Sequence, residues 1–329
     1  MIISRTPFRV SLFGGGTDLG DYYRNSKYGY GAVISTAINR YTYITVNRRF
    51  DDMIRVSYSK TEYVATVDEI EHNIIREALK IVGIKKAIDI VYMADIPLDS
   101  AGIGLASSSS IAVGVLNALY AFVGKSVSAE RLAREACRIE IEVLKHPIGK
   151  QDQYAVAYGG FNYYQFNSDE SVYINPIVCS SETKCRLEKN MMFFYTGITR
   201  KSSSVLTEQK ANIPNRAKAL DELVEIVSAV RDSLQRNELS EIGTYLTHAW
   251  ELKKSLASNI SNPVIDEMYR KAINAGALGG KILGAGGGGF LMVYADPDAH
   301  SNIRKTLKGY QENPIKFDGE GSKIIYIDQ

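Results

Sequence analysis

The sequence predicts an α+β fold with two domains, because strand-like and helix-like segments occur in separate runs and not as alternating βαβ units. The first 60 residues read as strands, whereas most of the second half has the apolar spacing typical of helices. A length of 329 residues, at roughly 150 residues per domain, also favours two domains. We place an N-terminal domain over 1–185 and a C-terminal domain over 186–329.

Composition and charge are those of an ordinary globular protein. Hydrophobic residues make up 45% and charged residues 23% of the chain, which excludes disordered, collagen-like and coiled-coil classes. The net charge is +2 and no run of five like charges occurs, so neither nucleic acid nor a membrane surface is expected as a partner. The three cysteines lack metal or redox spacing and are expected to be free thiols in a reducing cytoplasm.

Local patterns predict the following elements of the N-terminal half. Alternation predicts strands, helical spacing predicts helices, and glycine or proline marks their ends. We expect strands at Arg9–Phe13, Tyr41–Asn47, Met53–Tyr58 (paired with the preceding strand across a turn at 51–52) and Ile88–Ala94, helices at Glu69–Val82, Ser107–Val123 and Ser128–Leu144, and a hairpin at 160–178.

The second half is predicted to be mostly helical. We expect helices at about 201–210, 215–236, 238–257, 263–275 and 298–308, and strands near 280–284, 289–295 and 322–327.

Three glycine-rich segments are candidates for phosphate binding: residues 14–18 (GGGTD), 102–110 (GIGLASSSS) and 284–289 (GAGGGG). No GxxxxGK[ST] motif occurs, which excludes a P-loop. The third segment has the letters of a dinucleotide fingerprint, but the residues after it read as a strand and not as a helix. A Rossmann domain is therefore not predicted.

The middle segment is the best candidate for an anion site. A loop of small residues leads directly into an apolar helix, so backbone N–H groups and the positive helix end can converge on a phosphate. The alternative is a flexible turn with an N-cap serine, but one serine suffices for a cap and four occur in a row.

Four charged residues form a second candidate site. Glu140 and Lys150 flank a Pro–Gly break, and Asp152 follows it, where a carboxylate could serve as a general base or a metal ligand. The alternative is a set of ordinary solvated charges. Arg9 lies in an otherwise apolar strand, and a buried cation is costly unless it is paired.

These segments, in this order, resemble the motifs of the GHMP kinase superfamily, which includes galactokinase and mevalonate kinase. Residues 7–18 resemble the first motif in its sugar-kinase form, residues 102–110 the second, which binds ATP phosphates, and residues 281–290 the third. Residues 14–23, 147–154 and 248–254 are similar to the heptose 7-phosphate kinase group. The sequence departs from the family pattern in two ways. The loop from Pro97 to Gly104 is longer than usual, and Ala106 stands where glycine or serine is usual.

The resemblance implies a two-domain fold with the active site in the cleft between the domains, and it implies a role for each candidate residue. Asp152 would be the catalytic base and Arg9 its ion-pair partner, while Ser108 and Glu140 would hold Mg²⁺. The other implied roles are ATP binding by Gly102, Gly104, Leu105, Ala106, Ser107, Ser108, Ser109 and Ser110, substrate binding by Gly15, Gly16, Thr17, Asp18, Lys150, Arg200 and Lys201, and support by the glycine loop Gly286, Gly287 and Gly288.

The activity implied by the resemblance is ATP-dependent phosphorylation of the C1 hydroxyl of D-glycero-D-manno-heptose 7-phosphate, feeding nucleotide-activated heptose into surface glycans such as lipopolysaccharide. The small-molecule partners would be this sugar phosphate and ATP, with Mg²⁺ as cofactor, and the sequence is compatible with a homodimer. Two alternatives stay open. One is a kinase for fucose, galactose or mannose, and the other is a non-catalytic sugar sensor, against which intact Arg9, Glu140 and Asp152 argue.

Overall fold

The computed structural model describes residues 1–96, 102–199 and 202–328. The strands are β1 Ile2–Phe13, β2 Tyr30–Arg48, β3 Ile54–Ser57, β4 Thr61–Val64, β5 Ile88–Ala94, β6 Phe161–Asn167, β7 Val172–Pro176, β8 Met191–Tyr195, β9 Gly279–Ile282, β10 Phe290–Tyr294, β11 Gln311–Glu312, β12 Phe317–Asp318 and β13 Lys323–Ile327. The helices are α1 Gly20–Tyr23, α2 Asn73–Val82, α3 Ser107–Phe122, α4 Ala129–Cys137, α5 Gln151–Tyr158, α6 Ser181–Lys189, α7 Ser202–Gln235, α8 Ile242–Lys254, α9 Pro263–Asn274 and α10 Pro297–Thr306, with a 3₁₀ turn at Val67–Glu69 and a π-helical turn at Arg138–Val143.

Two sheets organise these elements and confirm the α+β class. Within the described residues, the first sheet has nine strands in the order β13-β1-β2-β5-β3-β4, with β6 and β12 also on β2 and β7 on β6. The second has four strands in the order β11-β8-β10-β9. Because β12 and β13 pair with β2 and β1, the end of the chain returns to the first sheet. The division at residue 185, which falls within α6, stays a prediction.

One predicted strand pairing is wrong. We expected Met53–Tyr58 to pair with Tyr41–Asn47, but β3 pairs antiparallel with β4 and parallel with β5. Along residues 42–46, β2 instead lies between β1 and β5. Strands β1 and β5 therefore occupy both edges of that part of β2, and their alternation of buried and less buried residues matches that of β2. The short strand β3, although it follows β2 in sequence, has no free edge of β2 with which to pair.

The predicted α2, α3 and β5 are confirmed, with small shifts at their ends. Gly83, with φ +84°, ends α2 in the left-handed conformation that favours glycine. Nearly all of α3 is buried, and it packs on β1 and β2. The sheet therefore fixes the direction in which the N-terminus of α3 points.

Helix α5 is missing from the sequence prediction. The break at Pro147 and Gly149 favours a loop, but the chain starts a new helix at Gln151, immediately beyond it. The helix predicted at Ser128–Leu144 is α4 followed by the π-helical turn, and the Ser128 side chain caps it by accepting from Arg131 N.

In the second half, α9, α10, β9, β10 and β13 agree with prediction to within a few residues, whereas α6, β11 and β12 were not predicted.

The helices expected at 201–210 and 215–236 form one helix, because Pro214 does not end α7. Ile213 and Leu220 are both buried, so tertiary packing holds the helix on either side of the proline. No helix in the described ranges is long and apolar enough to cross a membrane.

Candidate active site

Asp152 and Arg9 form a bidentate ion pair. Strand β1 carries Arg9 and the first turn of α5 carries Asp152. Arg9 donates from Nε to Oδ1 of Asp152 (2.8 Å) and from Nη2 to Oδ2 (2.7 Å), and its Nη1 donates to the carbonyl of Gly104 (2.7 Å). The exposed fraction is 4% for the Arg9 side chain and 28% for that of Asp152. The predicted pairing is confirmed, and Asp152 keeps one side open to the cleft.

Two pockets meet at this ion pair. The first, the Asp18 pocket, contains Gly15, Gly16, Asp18, Gly149, Gln151 and Lys253 among its lining residues. The second, the serine pocket, contains Gly102, Gly104, Ala106, Ser107 and Ser108. Both are also lined by Arg9, Ile148, Asp152, Leu206, Gly284 and Ala285, which come from both halves of the chain. Asp152 therefore lies where the contents of one pocket would touch those of the other.

Asp18 is the second carboxylate of the Asp18 pocket. Its Oδ1 accepts from Gly16 N (3.1 Å) and its Oδ2 from Gln151 N (3.2 Å). Burial and the nearby charge of Asp152 raise the pKa of Asp18 above its usual value, although the backbone donors oppose this shift. The glycine turn thus presents an acceptor group to whatever fills the pocket.

Thr17 has a different role from the one expected. Its side chain is fully buried, and its hydroxyl lies 2.8 Å from the Gly14 carbonyl and 2.7 Å from the Ala32 carbonyl, while Ala32 N donates to it. Its one proton is donated toward these carbonyls, and the side chain does not line the Asp18 pocket. The prediction that Thr17 binds a sugar hydroxyl is therefore wrong.

The loop before α3 has the geometry of an anion site. Gly102 and Gly104 have φ of +91° and +85°, and no side chain caps the N-terminus of α3. Backbone N–H groups of that first turn can therefore serve a phosphate. Ala106 has φ +67°, a left-handed conformation that costs a non-glycine residue about 1–2 kcal/mol. Pro97 and the start of the lengthened loop lie outside the described residues.

The four serines divide into two pairs. Ser107 and Ser108 line the serine pocket, as expected for ATP binding. Ser109 and Ser110 are buried: the Ser109 hydroxyl donates to Glu140 (2.7 Å), and that of Ser110 contacts Ser107 O and the Thr42 hydroxyl (both 2.8 Å). Leu105 is also buried, and its carbonyl accepts from Arg9 N. Leu105, Ser109 and Ser110 are not among the residues that line the serine pocket, and ATP binding by these three residues stays a prediction.

Glu140 is a fully buried carboxylate with one oxygen unused. Its Oε2 accepts from Ser109 Oγ and Gln153 Nε2 (both 2.7 Å), whereas Oε1 has no hydrogen-bond partner among the described residues. His146 Nδ1 lies 3.8 Å from Oε1. A spare, hard oxygen donor fits Mg²⁺. The hydroxyl in contact with Glu140 is that of Ser109, while Ser108, the predicted ligand, is exposed toward the cleft.

No group of three His, Cys, Asp or Glu side chains is arranged to hold a metal in the part of the chain that the structure describes. This agrees with the usual behaviour of Mg²⁺, which takes one or two protein ligands and completes its shell with water and substrate phosphates.

The third glycine segment supports the loop before α3, although through residues other than those expected. A Cβ on Gly284 would lie 2.4 Å from Gly104 Cα, and one on Gly289 would lie 2.3 Å from the Ile103 carbonyl. Gly286 and Gly287 instead pack against Ile260, and Gly288 against Ile198. The predicted residues therefore shape the supporting loop, while Gly284 and Gly289 make its close contacts.

Gly104→Ala tests this contact between the two glycine loops. Its Cβ would meet the Leu283 carbonyl at 2.5 Å, and its φ is +85°. Left-handed strain and overpacking together should lower the free energy of unfolding by about 3 kcal/mol or more. Gly83→Ala is the matched control, because Gly83 has φ +84° with nothing within 4 Å. It should lose only about 1 kcal/mol. Equal shifts of the two denaturation midpoints would contradict a loop–loop contact.

Of the cations nominated for the substrate's phosphate, Lys150 lies away from the Asp18 pocket. Lys150 Nζ is bound by the carboxylate and carbonyl of Glu170 and lines a separate pocket. Burial alone would raise the pKa of Glu170, but hydrogen bonds from Arg24 and Lys150 lower it to about 2. Arg200 and Lys201 lie outside the described residues. Binding of the substrate's phosphate by these three cations stays a prediction.

Sequence reasoning missed several residues of the site. Gln151 accepts from Ser11 Oγ (2.9 Å) and donates to Asp152 Oδ1 (3.1 Å), which orients the carboxylate. Lys281 is buried and donates to the carbonyls of Ser11 and Leu12. Burial and the charges of Lys253 and Arg9 lower its pKa well below the usual value. Gln151, Lys253 and Lys281 lie within segments that carry the family resemblance (147–154, 248–254 and 281–290), which was an available signal. Gln209, also in the Asp18 pocket, comes from a helix with no such signal.

Comparisons with known proteins place both halves of the chain in one family of kinases. Residues 62–160 match the family model for the GHMP kinases N terminal domain, and residues 230–312 match that for GHMP kinases C terminal. The chain is 29% identical to a D-glycero-alpha-D-manno-heptose 7-phosphate kinase of Campylobacter jejuni, over 98% of each chain. It is 26% identical to a galactokinase of Pyrococcus furiosus, over 93% of this chain and 92% of the relative.

A solved structure has the same fold over the whole chain. It is that of a D-glycero-D-manno-heptose 1-phosphate kinase of Bacteroides thetaiotaomicron, with a TM-score of 0.82, 24% identity and complete coverage of both chains. At that identity the likeness bears on the fold alone.

Proposed function

The chain belongs to the GHMP kinase superfamily as an ATP-dependent sugar kinase, and from that premise we propose that its substrate is D-glycero-D-manno-heptose 7-phosphate. The reaction is transfer of the γ-phosphoryl group of ATP to the C1 hydroxyl, giving the 1,7-bisphosphate for synthesis of nucleotide-activated heptose. The observation that carries the proposal is the Arg9–Asp152 ion pair at the junction of two pockets. We assign the Asp18 pocket to the sugar and the serine pocket to the nucleotide. The Campylobacter jejuni relative supports the choice of sugar.

In the proposed mechanism, Asp152 accepts the proton of the C1 hydroxyl. The C1 oxygen forms a bond to the γ-phosphorus, the bond from that phosphorus to the β–γ bridging oxygen breaks, and ADP leaves. Arg9 pairs with the Asp152 carboxylate and fixes its orientation through two hydrogen bonds. Alignment of the reacting atoms and neutralisation of charge supply most of the catalysis in phosphoryl transfer.

The ATP phosphates are proposed to bind at the N-terminus of α3. The left-handed glycines at 102 and 104 turn the backbone there, and Ser107 and Ser108 line the pocket beside it. The uncapped N–H groups and the positive end of the helix dipole favour an anion at this point. The buried contact of Gly104 with Gly284 holds this loop in place.

Glu140, through its unused Oε1, and Ser108 are proposed to hold Mg²⁺. When bound, the cation would neutralise charge on the ATP phosphates. Gln153 and Ser109 orient the Glu140 carboxylate by donating to its other oxygen.

Glu140→Gln and Ser108→Ala should both raise the Mg²⁺ concentration needed for half-maximal activity, by about tenfold or more. High Mg²⁺ should restore part of the lost activity, because mass action refills a weakened site. Glu142→Gln, an exposed carboxylate on the same helical turn, is the control and should titrate like the wild type. If the titration curves of Glu140→Gln and Ser108→Ala overlay that of the wild type, the metal is held elsewhere.

Incubation with ATP and heptose 7-phosphate tests the proposed function, with ADP release and ³¹P NMR of the product as readouts. We expect a second phosphate at C1. Phosphorylation of galactose, fucose or mannose in preference to the heptose phosphate would favour the second candidate, a kinase for another sugar, which the galactokinase relative supports. Sugar binding without turnover of any sugar would favour a non-catalytic sensor.

A further inference from the structure

Gln209 is a buried amide in the wall of the Asp18 pocket. Helix α7 carries it from the C-terminal half of the chain, and 3% of the residue is exposed. Its Nε2 is shielded from solvent and has no hydrogen-bond partner among the described residues. A side-chain amide N–H is a strong donor, and a buried donor without a partner is costly enough to be rare in native proteins. The group therefore calls for an acceptor that the described residues do not provide.

Gly16 brings Gln209 next to Asp18. A Cβ on residue 16 would lie 2.3 Å from Gln209 Nε2, so glycine is the residue that leaves room for this amide. The backbone N of the same glycine donates to Asp18 Oδ1. The unused donor of Gln209 and the acceptor carboxylate of Asp18 therefore both lie against Gly16, at the wall of one pocket.

A hydroxyl group complements this pair. It can donate its proton to a carboxylate and accept from an amide N–H at the same time. The two carboxylate oxygens of Asp18 already accept from Gly16 and Gln151, but each oxygen has a second lone pair for a further donor.

We propose that Gln209 is a sugar-binding residue that selects the configuration of one hydroxyl. A small rotation of the side chain on sugar entry turns Nε2 toward a hydroxyl that also donates to Asp18. The inference rests on the proposed function in that it takes a sugar as the occupant of the Asp18 pocket. It adds a contact from the C-terminal half, so that sugar binding draws on both halves of the chain.

Gln209→Met tests the proposal, because methionine keeps the length of the side chain and removes the donor. We expect the KM for heptose 7-phosphate to rise about 10–100-fold, with the KM for ATP unchanged. The thermal midpoint of the unliganded protein should stay the same or rise, since an unpaired buried donor is removed. Its increase on addition of heptose 7-phosphate, measured without ATP, should shrink. Lys210→Met is the control, because Lys210 is exposed on the next position of α7 and pairs with Asp21.

Gln209→Glu provides a second variant in case methionine disturbs packing. It keeps the shape and can accept but not donate, so the KM for the sugar should again rise. A KM for the sugar within twofold of the wild type in a folded Gln209→Met or Gln209→Glu protein would overturn the inference.

Deoxy analogues of the sugar then identify the hydroxyl. Removal of the hydroxyl that Gln209 binds should weaken substrate use by the wild type more than Gln209→Met does, because the contact with Asp18 is lost as well. The same removal should cost the Gln209→Met variant less than it costs the wild type, because only the Asp18 contact remains to be lost. Additive losses at every position would also overturn the inference. If the wild type prefers another sugar, the proposed substrate is wrong, and the same comparison made with that sugar decides the role of Gln209 separately.

Discussion

Asp152→Asn is expected to lower kcat by about 10²–10⁴-fold, the usual effect of losing a general base. Asparagine keeps the shape of the side chain but cannot accept the C1 proton at pH 7. It also places an amide NH₂ opposite one of the two Arg9 donors, which breaks half of the bidentate pair. The KM for ATP should change little, because the N-terminus of α3 and the side chains of Ser107 and Ser108 are unchanged.

The control for Asp152→Asn is Asp169→Asn, which removes one negative charge from an exposed hairpin turn. It should leave kcat unchanged. Near-wild-type turnover by Asp152→Asn at saturating sugar and ATP would reject Asp152 as the base, whatever happens to KM.

Discrimination between a phosphorylated and a free sugar should be the other large effect. We expect kcat/KM for heptose 7-phosphate to exceed that for mannose, galactose or fucose by about 10³ or more. A phosphate dianion forms charge-assisted hydrogen bonds with the cations of its site, and a free sugar cannot form them, so its binding loses that whole interaction. In the unliganded structure Lys150 is paired with Glu170, so the phosphate would replace Glu170 as the partner of this lysine.

Lys150→Met and Arg200→Ala locate the phosphate site. Each should reduce kcat/KM for the heptose phosphate far more than for a free hexose. Lys60→Met removes an exposed lysine that pairs with Glu71 and should leave the preference unchanged. Equal kcat/KM for heptose 7-phosphate and a free hexose would reject the proposed specificity. Only the assignment as a sugar kinase would then remain. An unchanged preference in both variants would keep the substrate and assign its phosphate to other cations.

The sequence alone determined the fold class and the family, and it predicted the ion pair at the junction of the two pockets. Alternation along β1, the glycine turn, and the loop leading into α3 are local features, because each depends on residues within a few positions of one another. The resemblance carried by those segments also paired Arg9 with Asp152 across 143 positions, and the structure contains that pair. What could be read from the sequence was thus either periodic within one element or part of a recognised motif.

Tertiary structure decided the direction in which individual side chains point. Four consecutive serines look equivalent in sequence, but the buried face of α3 directs Ser109 to Glu140 and leaves Ser107 and Ser108 at the pocket. Thr17 looked like a sugar ligand until strand β2 placed the Ala32 carbonyl against its hydroxyl. Gln209 carries no local signal, because its meaning depends on Gly16, which is far away in the chain and touches it only after α7 packs beside the glycine turn. Burial and hydrogen bonding between distant segments are set by the packing of whole elements, and no local pattern encodes them.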